Sequence, residues 1–313
     1  MQVSLLLSTY NGEKYLRELL SSLERQSYRN WLLYVRDDGS NDSTIKILEE
    51  FEKSHRGRIF LLLDGERLGP CVSFLRLLAK AEGDYFLFVD QDDVWLEDKI
   101  KDKLNAAIAF EKTFGHNFPI LVHTDLFVSD ERLRIIASSF WAYQNINPWH
   151  KSLKNLLILN TVTGCATLIN KPFKELITEL PTKAIMHDWW LALIASAFGH
   201  IEPIPKQTIL YRQHQNQNTG AKRYGFLYYA RKLKGGFKLK KALRDRMAQA
   251  DEFLKLYSKK LSTEKITEVK GFLELCKEKK FLKGWKALKN GYHSHGLYRN
   301  IGLIWTLEIF CGD

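Results

Sequence analysis

The chain has 313 residues, 45% of them hydrophobic and 12% aromatic, enough to bury a sizeable core, which excludes a disordered polymer. Its net charge of +11 is uneven: residues 221–313 hold 22 Lys+Arg against 9 Asp+Glu, while the preceding 220 hold 25 against 27, so a near-neutral body carries a basic end. Cys71, Cys165, Cys276 and Cys311 form no C-x-x-C pair, arguing against a zinc site or a disulfide framework, and the opening VSLLLSTY lacks the features of a secretory signal, predicting a cytosolic location.

In chain order, VSLLLST (3–9), WLLYVRD (31–37), RIFLLLD (58–64) and DYFLFVD (84–90) have the continuous hydrophobicity of buried strands. The segments 13–25, 42–53 and 71–81 carry apolar residues three and four apart, as at Tyr15, Leu19, Leu20 and Leu23, and predict amphipathic helices. Such alternation gives right-handed crossovers and a parallel sheet. Beyond 118 the pattern is mixed: PILVHTDLFV and TVTGCATLIN read as strands, HDWWLALIASAF as a helix and QTILYRQH as a further strand. From about 221 the chain turns basic and helical, and its last apolar run, IGLIWTLEIF, is too short to span a bilayer.

Parallel sheets bind ligands beyond the carboxyl ends of their strands, which here read STYNGE, RDDGSND, DGERLG and DQDD. The first turn has no G-x-G-x-x-G, which disfavours a dinucleotide oxidoreductase. Asp90 and Asp92, at alternate positions past the fourth strand, can share a hard divalent cation whose shell phosphate oxygens complete; alternatively Asp92 or Asp93 caps the following helix. Asp37-Asp38-Gly39-Ser40 and Ser8-Thr9-Tyr10-Asn11-Gly12 close the second and first strands. Three polar strand ends then point to one crevice able to hold a nucleotide, with a carboxylate for base or ribose, Thr9 and Asn11 for polar contacts and Tyr10 for ring packing. Each turn taken singly also reads as a turn and no more.

STYNGEKYL, RDDGSNDST and VDQDDVW, in this order and spacing, resemble the nucleotide-sugar half of family 2 glycosyltransferases over roughly residues 1–220. The resemblance implies an α/β GT-A fold with a mostly parallel central sheet, a nucleotide-sugar donor and Mg²⁺ or Mn²⁺; residues 221–313 then form a basic helical extension. It sets Glu13, Asp37 and Asp38 toward the nucleotide, with Ser40 and Gln91 among the donor contacts, Asp90 toward ribose or metal, and Asp92 toward the metal. Arg67 stands where many relatives carry Asn, and either meets base or phosphate or sits in solvent. His187-Asp188-Trp189-Trp190 resembles the segment that supplies the catalytic base, with Asp188 as the match and the tryptophans as sugar platforms or core residues. Gly164 and Cys165 lie where relatives face the acceptor, which makes them, with His187, Trp189 and Trp190, acceptor-side candidates.

The family's Gln-x-x-Arg-Trp is absent, and Tyr211-Arg212-Gln213-His214 instead resembles the ending of bacterial rhamnosyltransferases. By that resemblance the donor is dTDP-L-rhamnose, His214 is the third metal ligand and Arg212 a diphosphate clamp, in an inverting transfer to a lipid-linked or growing surface polysaccharide. A UDP-hexose donor, or a non-catalytic adaptor on the same fold, stays open.

Residues 222–246 contain ten Lys+Arg and one acid, interleaved with Tyr224, Phe226, Tyr228, Tyr229 and Leu233. Such a composition suits an anionic membrane surface, at about 1 kcal/mol per basic residue near it, and predicts an enzyme peripheral to the inner face of the cell membrane. Nucleic acid is not expected as a partner, given the Tyr and Trp content; a solvated helical face packed on the catalytic domain is the other reading.

Overall fold

The structure, a computed structural model, describes residues 1–215, 220–221, 236–278 and 282–310. Residues 222–235 of the basic stretch and residues 216–218 beyond His214 lie outside the described residues. The first half follows the predicted alternation: β1 (Val3–Thr9), α1 (Leu16–Glu24), β2 (Trp31–Asp37), α2 (Thr44–Ser54), β3 (Ile59–Leu62), α3 (Pro70–Lys80) and β4 (Tyr85–Asp90). All four strands are parallel, in the order β3-β2-β1-β4. The chain leaves β1 on one side and returns on the other, which opens a crevice between β1 and β4 at their carboxyl ends. Register aligns the polar ends, with Thr9 opposite Asp37 and Ser8 opposite Asp90.

Alternation along the strands divides the core. Leu5 and Leu7 of β1 join Leu33, Val35, Leu87 and Val89 under α1 and α2, whereas Leu6 points with Phe86 and Phe88 to the opposite face, under α3. The second half adds β5 (Val94–Trp95), α4 (Lys99–Phe114), β6 (Ile120–Ser129), β7 (Ile135–Ala137), α5 (Phe140–Tyr143), α6 (Leu153–Ile158), β8 (Thr167–Asn170), α7 (Lys171–Lys174), α8 (His187–Phe198) and β9 (His200–Arg212). The sheet continues β4-β8-β6-β9-β5, with β7 on the side of β6. Because β6 and β9 run with β1–β4, the sheet is mostly parallel, as expected, and β8 is the antiparallel strand between β4 and β6.

One predicted strand is broken. TVTGCATLIN becomes a 3₁₀ turn at Gly164–Ala166 followed by β8. The cause is steric: a Cβ on Gly164 would lie 2.6 Å from the His187 Nε2, so the glycine lets the turn pack directly on the first turn of α8.

The basic end forms α9 (Gly236–Tyr257), α10 (Thr263–Lys277), α11 (Lys283–Lys289) and α12 (Leu297–Phe310). Phe253, Tyr257, Phe272 and Leu307 belong to the same apolar cluster as Phe74, Leu156 and Trp190 of the body. This explains why HDWWLALIASAF is apolar on nearly every side: the sheet lies under α8 and the C-terminal helices lie over it. The described part of the extension therefore packs on the body, and among the described residues no helix is long and apolar enough to cross a membrane.

Candidate active site

The β1 and β2 loops are wired into one frame. Asp37 accepts the Thr9 hydroxyl (2.8 Å), the Ser40 hydroxyl (2.6 Å) and the Ser40 N–H (2.7 Å). The Asn11 N–H donates to the Ser40 hydroxyl (2.8 Å), the Ser43 N–H to Glu13 (2.9 Å), and Gln91 pairs with both backbone groups of Tyr10 (2.8 and 2.9 Å). Asp38 accepts the N–H groups of Leu68 (2.7 Å) and Gly69 (2.9 Å) and pairs with Arg36. Asp37 and Asp38, expected to face the nucleotide, are thus buried and spend their oxygens on the loops around it. Arg67 is exposed, as one of its two readings expected, and its guanidinium stacks over the Tyr10 ring, 4.3 Å from the centroid, so the pair gives the loop an extended flat wall.

Past β4, His214 Nε2 lies 2.8 Å from Asp92 Oδ2, so the end of β4 and the end of β9 do meet. Burial, then Asp92 and Asp188, push the Asp90 carboxyl above its ordinary range, opposed by Lys99. Asp93 is fully buried; one oxygen accepts the Arg212 N–H (3.1 Å) and the other has no hydrogen-bond partner among the described residues. This crowding of negative charge is what a divalent cation relieves, and two carboxylates with an imidazole form a donor set that fits Mn²⁺ better than Mg²⁺. Asp90, Asp93 and Cys165 also bring ligand atoms within 4.8 Å of one another. Burial holds the Cys165 thiol well above its usual range, so it is a poor match for a hard ion, and at 1% exposure it has no surface to offer an acceptor.

Arg212 is not placed as a diphosphate clamp. Its Nε donates to the Asp92 carbonyl (2.8 Å), its other nitrogens to the Glu131 carbonyl and the Glu18 carboxylate, and its guanidinium lies 4.5 Å from the Tyr15 ring centroid. The side chain fastens the Asp92 turn to β9 and α1. Sequence spacing gave no sign of this, since Glu18 is 194 residues distant.

On the acceptor side, Asp188 opens α8. Its Oδ2 accepts the Gly164 N–H (3.0 Å) and its Oδ1 the Trp189 N–H (2.6 Å). Desolvation pushes its carboxyl up to about 6, against hydrogen bonds from Trp189, Gly164 and Asn160 that favour the anion. Its neighbours depart from expectation. His187 is buried against Phe74 and Phe88, at 4.2 and 5.0 Å between centroids, and desolvation lowers it to about 3, so it is a neutral core imidazole. Trp190 is buried between α8 and α9 on Phe253 and Tyr257. Neither can touch a sugar. Trp189 is half-buried, with its indole N–H on the Leu156 carbonyl (2.6 Å).

Among the buried cations that went unremarked in the sequence, Arg36, Lys99 and Lys103 lie in the body. Arg36 is 0% exposed and binds Asp38, Asp64 (2.8 Å), the Ser73 hydroxyl (2.7 Å) and the Glu66 carbonyl (2.7 Å). Lys99 sits beneath the carboxylates, donating to the Cys165 carbonyl (2.7 Å), and burial followed by Lys103 lowers it well below the usual lysine range. Burial likewise lowers Lys103 to about 7. For Arg36 the available signal was a charge set inside a run otherwise fit for a buried strand, followed by two acids.

The family model described as Glycosyl transferase family 2 matches residues 4–176. The dTDP-rhamnosyl transferase RfbG of Shigella flexneri is 28% identical over 229 residues, covering 69% of this chain and 74% of that protein. The putative teichuronic acid biosynthesis glycosyltransferase TuaG of Bacillus subtilis (strain 168) is 26% identical over 232 residues, 72% of this chain and 86% of its own length. Residues 1–349 of S. aureus TarS with UDP-GlcNAc superpose with a TM-score of 0.52 at 18% identity, over 98% of this chain and 90% of that one. The mannosyltransferase PcManGT of Pyrobaculum calidifontis, in complex with GDP-Man and Mn²⁺, gives 0.51 at 15% identity, over 99% and 85%. At these identities the solved structures speak for the GT-A fold.

Proposed function

The chain belongs to glycosyl transferase family 2, and from that premise we propose that it moves L-rhamnose from dTDP-L-rhamnose, with inversion, onto a lipid-linked saccharide of a bacterial surface polysaccharide at the inner face of the membrane. The observation that carries the reading is the position of Asp188: a desolvated carboxylate at the head of α8, close enough for its charge to act on Asp90 across the crevice. The rhamnose assignment draws on the Tyr211–His214 ending and on the name of the relative RfbG.

In this mechanism the loops framed by Asp37, Asp38 and Gln91 hold the nucleotide, with the Tyr10 and Arg67 pair against its base. Asp90, Asp92 and His214, the last two already in contact, would hold a divalent cation, which would offset the charge gathering on the departing diphosphate. An acceptor hydroxyl gives its proton to Asp188 as its oxygen bonds to the anomeric carbon, while the bond from that carbon to the diphosphate oxygen breaks and the nucleoside diphosphate departs. Arg212 acts at one remove, by fixing the Asp92 turn.

The test is transfer from a panel of nucleotide sugars to a lipid-pyrophosphate saccharide with Mn²⁺, for the wild type and for Asp188→Asn and Asp92→Asn. Turnover of dTDP-rhamnose, lost in both variants, is expected. Turnover of a UDP-hexose alone discards the rhamnose donor and keeps the mechanism; wild-type activity in Asp188→Asn removes the base.

A further inference from the structure

The C-terminal helices bury one side on the body and leave another bare. Leu282 (54% exposed), Trp285 (62%), Leu297 (71%), Tyr298 (47%) and Ile301 (47%) are all open to solvent, within one short segment. The two helices are pressed together: a Cβ on Gly284 of α11 would lie 2.6 Å from Ile304 Cα of α12. Leu297 and Ile301 are four residues apart and share a face of α12, while Leu303 and Leu307 point into the core. Beside Trp285, Lys286 and Lys289 are exposed.

Charge completes the pattern. Of the cations between 282 and 310, Lys283 is buried and Arg299 is held by the body, so the face presents Lys286, which is ion-paired with Glu278, and Lys289; the one acid in the segment, Glu308, is occupied by the N–H groups of Leu282 (3.1 Å) and Gly284 (2.7 Å). An apolar face with an indole and a phenol, flanked by the exposed Lys286 and Lys289 and by carboxylates already engaged at Glu278 and Glu308, matches an interface between anionic headgroups and acyl chains. A second copy of the same face would set Lys286 and Lys289 against their own counterparts. We propose that the α11–α12 face is the surface by which this protein docks on an anionic membrane, with Trp285, Leu297 and Ile301 entering the headgroup region.

The inference rests on the reading of the acceptor as lipid-linked, and deepens it. The turn between α11 and α12 is tied to the segment that leads to the base, with Lys154 donating to the Asn290 carbonyl (3.0 Å) and Asn155 to the His293 carbonyl (2.9 Å), and α12 is tied to the body by Arg299, which donates to the Gln144 carbonyl (2.6 Å). Shortly after α6, Asn160 bonds Asp188. A membrane that holds α11 and α12 therefore fixes the acceptor side of the crevice relative to the lipid.

The experiment is co-sedimentation of the full chain with vesicles of phosphatidylcholine and phosphatidylglycerol, and of phosphatidylcholine alone, with neither donor nor acceptor present, so that its outcome is separate from that of the transfer assay. Partition into the anionic vesicles at least about tenfold above the neutral ones, weakening with salt, is expected. The triple variant Trp285→Ser, Leu297→Ser, Ile301→Ser lowers it at least about tenfold, whereas Phe60→Ser, at an exposed position on β3, leaves it unchanged. If the triple variant loses its melting transition, Lys286→Glu with Lys289→Glu takes its place, with the same loss expected. Binding that survives the substitutions, equal binding to neutral vesicles, absence of binding, or a dimer in solution that the triple variant dissociates in place of vesicle binding would each overturn the proposal.

Discussion

The two sides of the crevice are built by different physics. On the donor side, side chains from consecutive βα units close short hydrogen bonds on one another, as when Asp37 collects Thr9 and Ser40, and the carboxylates are satisfied by the frame itself. On the side proposed for the acceptor, burial dominates and raises Asp188, and at the proposed cation site between the two, Asp90 and Asp93 are crowded above a lysine itself driven downward. The contrast teaches that one side is a rigid, hydrogen-bonded template and the other a set of carboxyls shifted by burial.

Substitutions should therefore separate binding, folding and chemistry. The largest kinetic effect belongs to the acceptor side: Asp188→Asn lowers kcat by about 10²–10⁴, read by single-turnover transfer. Its stability is not lowered, because a carboxyl raised by burial contributes stability that is present at low pH and lost as pH rises through about 6. On the donor side the effect is on folding. Arg36→Met leaves Asp38 buried without its cation and costs about 3–5 kcal/mol, measured by urea unfolding.

Local signals made the donor side legible and left much of the acceptor side hidden. Each strand end carries its own turn residues, and parallel pairing brings them together in register, so Thr9, Asp37 and Asp90 could be assembled from the sequence. Asp188 was singled out by its motif, and the structure sets it at the head of α8. Its neighbours were not legible, because successive helical residues turn by about 100°, which points His187 and Trp190 into the core while Asp188 faces the crevice. The engagement of Arg212 by Glu18 and Glu131, and the packing of the basic helices over α8, depend on tertiary contacts that no local pattern records.

Smaller effects sharpen the contrast. His214→Ala weakens Mn²⁺ binding by about 10–100-fold, measured by calorimetry without donor, and spares the fold. The Asp188 carboxylate must be ionised to accept a proton, so kcat falls about tenfold per unit as pH drops below about 6 and levels off above it; a flat profile through that range contradicts the assignment. Smallest is Arg67→Ala, where loss of the stack on Tyr10, about 0.5–1 kcal/mol, raises the donor KM by a few-fold and leaves kcat unchanged.

The division between template and chemistry is tested most directly by titrating Asp188→Asn with the nucleotide sugar and Mn²⁺ in a calorimeter, beside the wild type. The account predicts the same donor Kd, within about twofold, in a variant that no longer transfers sugar. A Kd that weakens in step with kcat would contradict it, because Asp188 would then belong to donor binding and the base would have to be sought elsewhere.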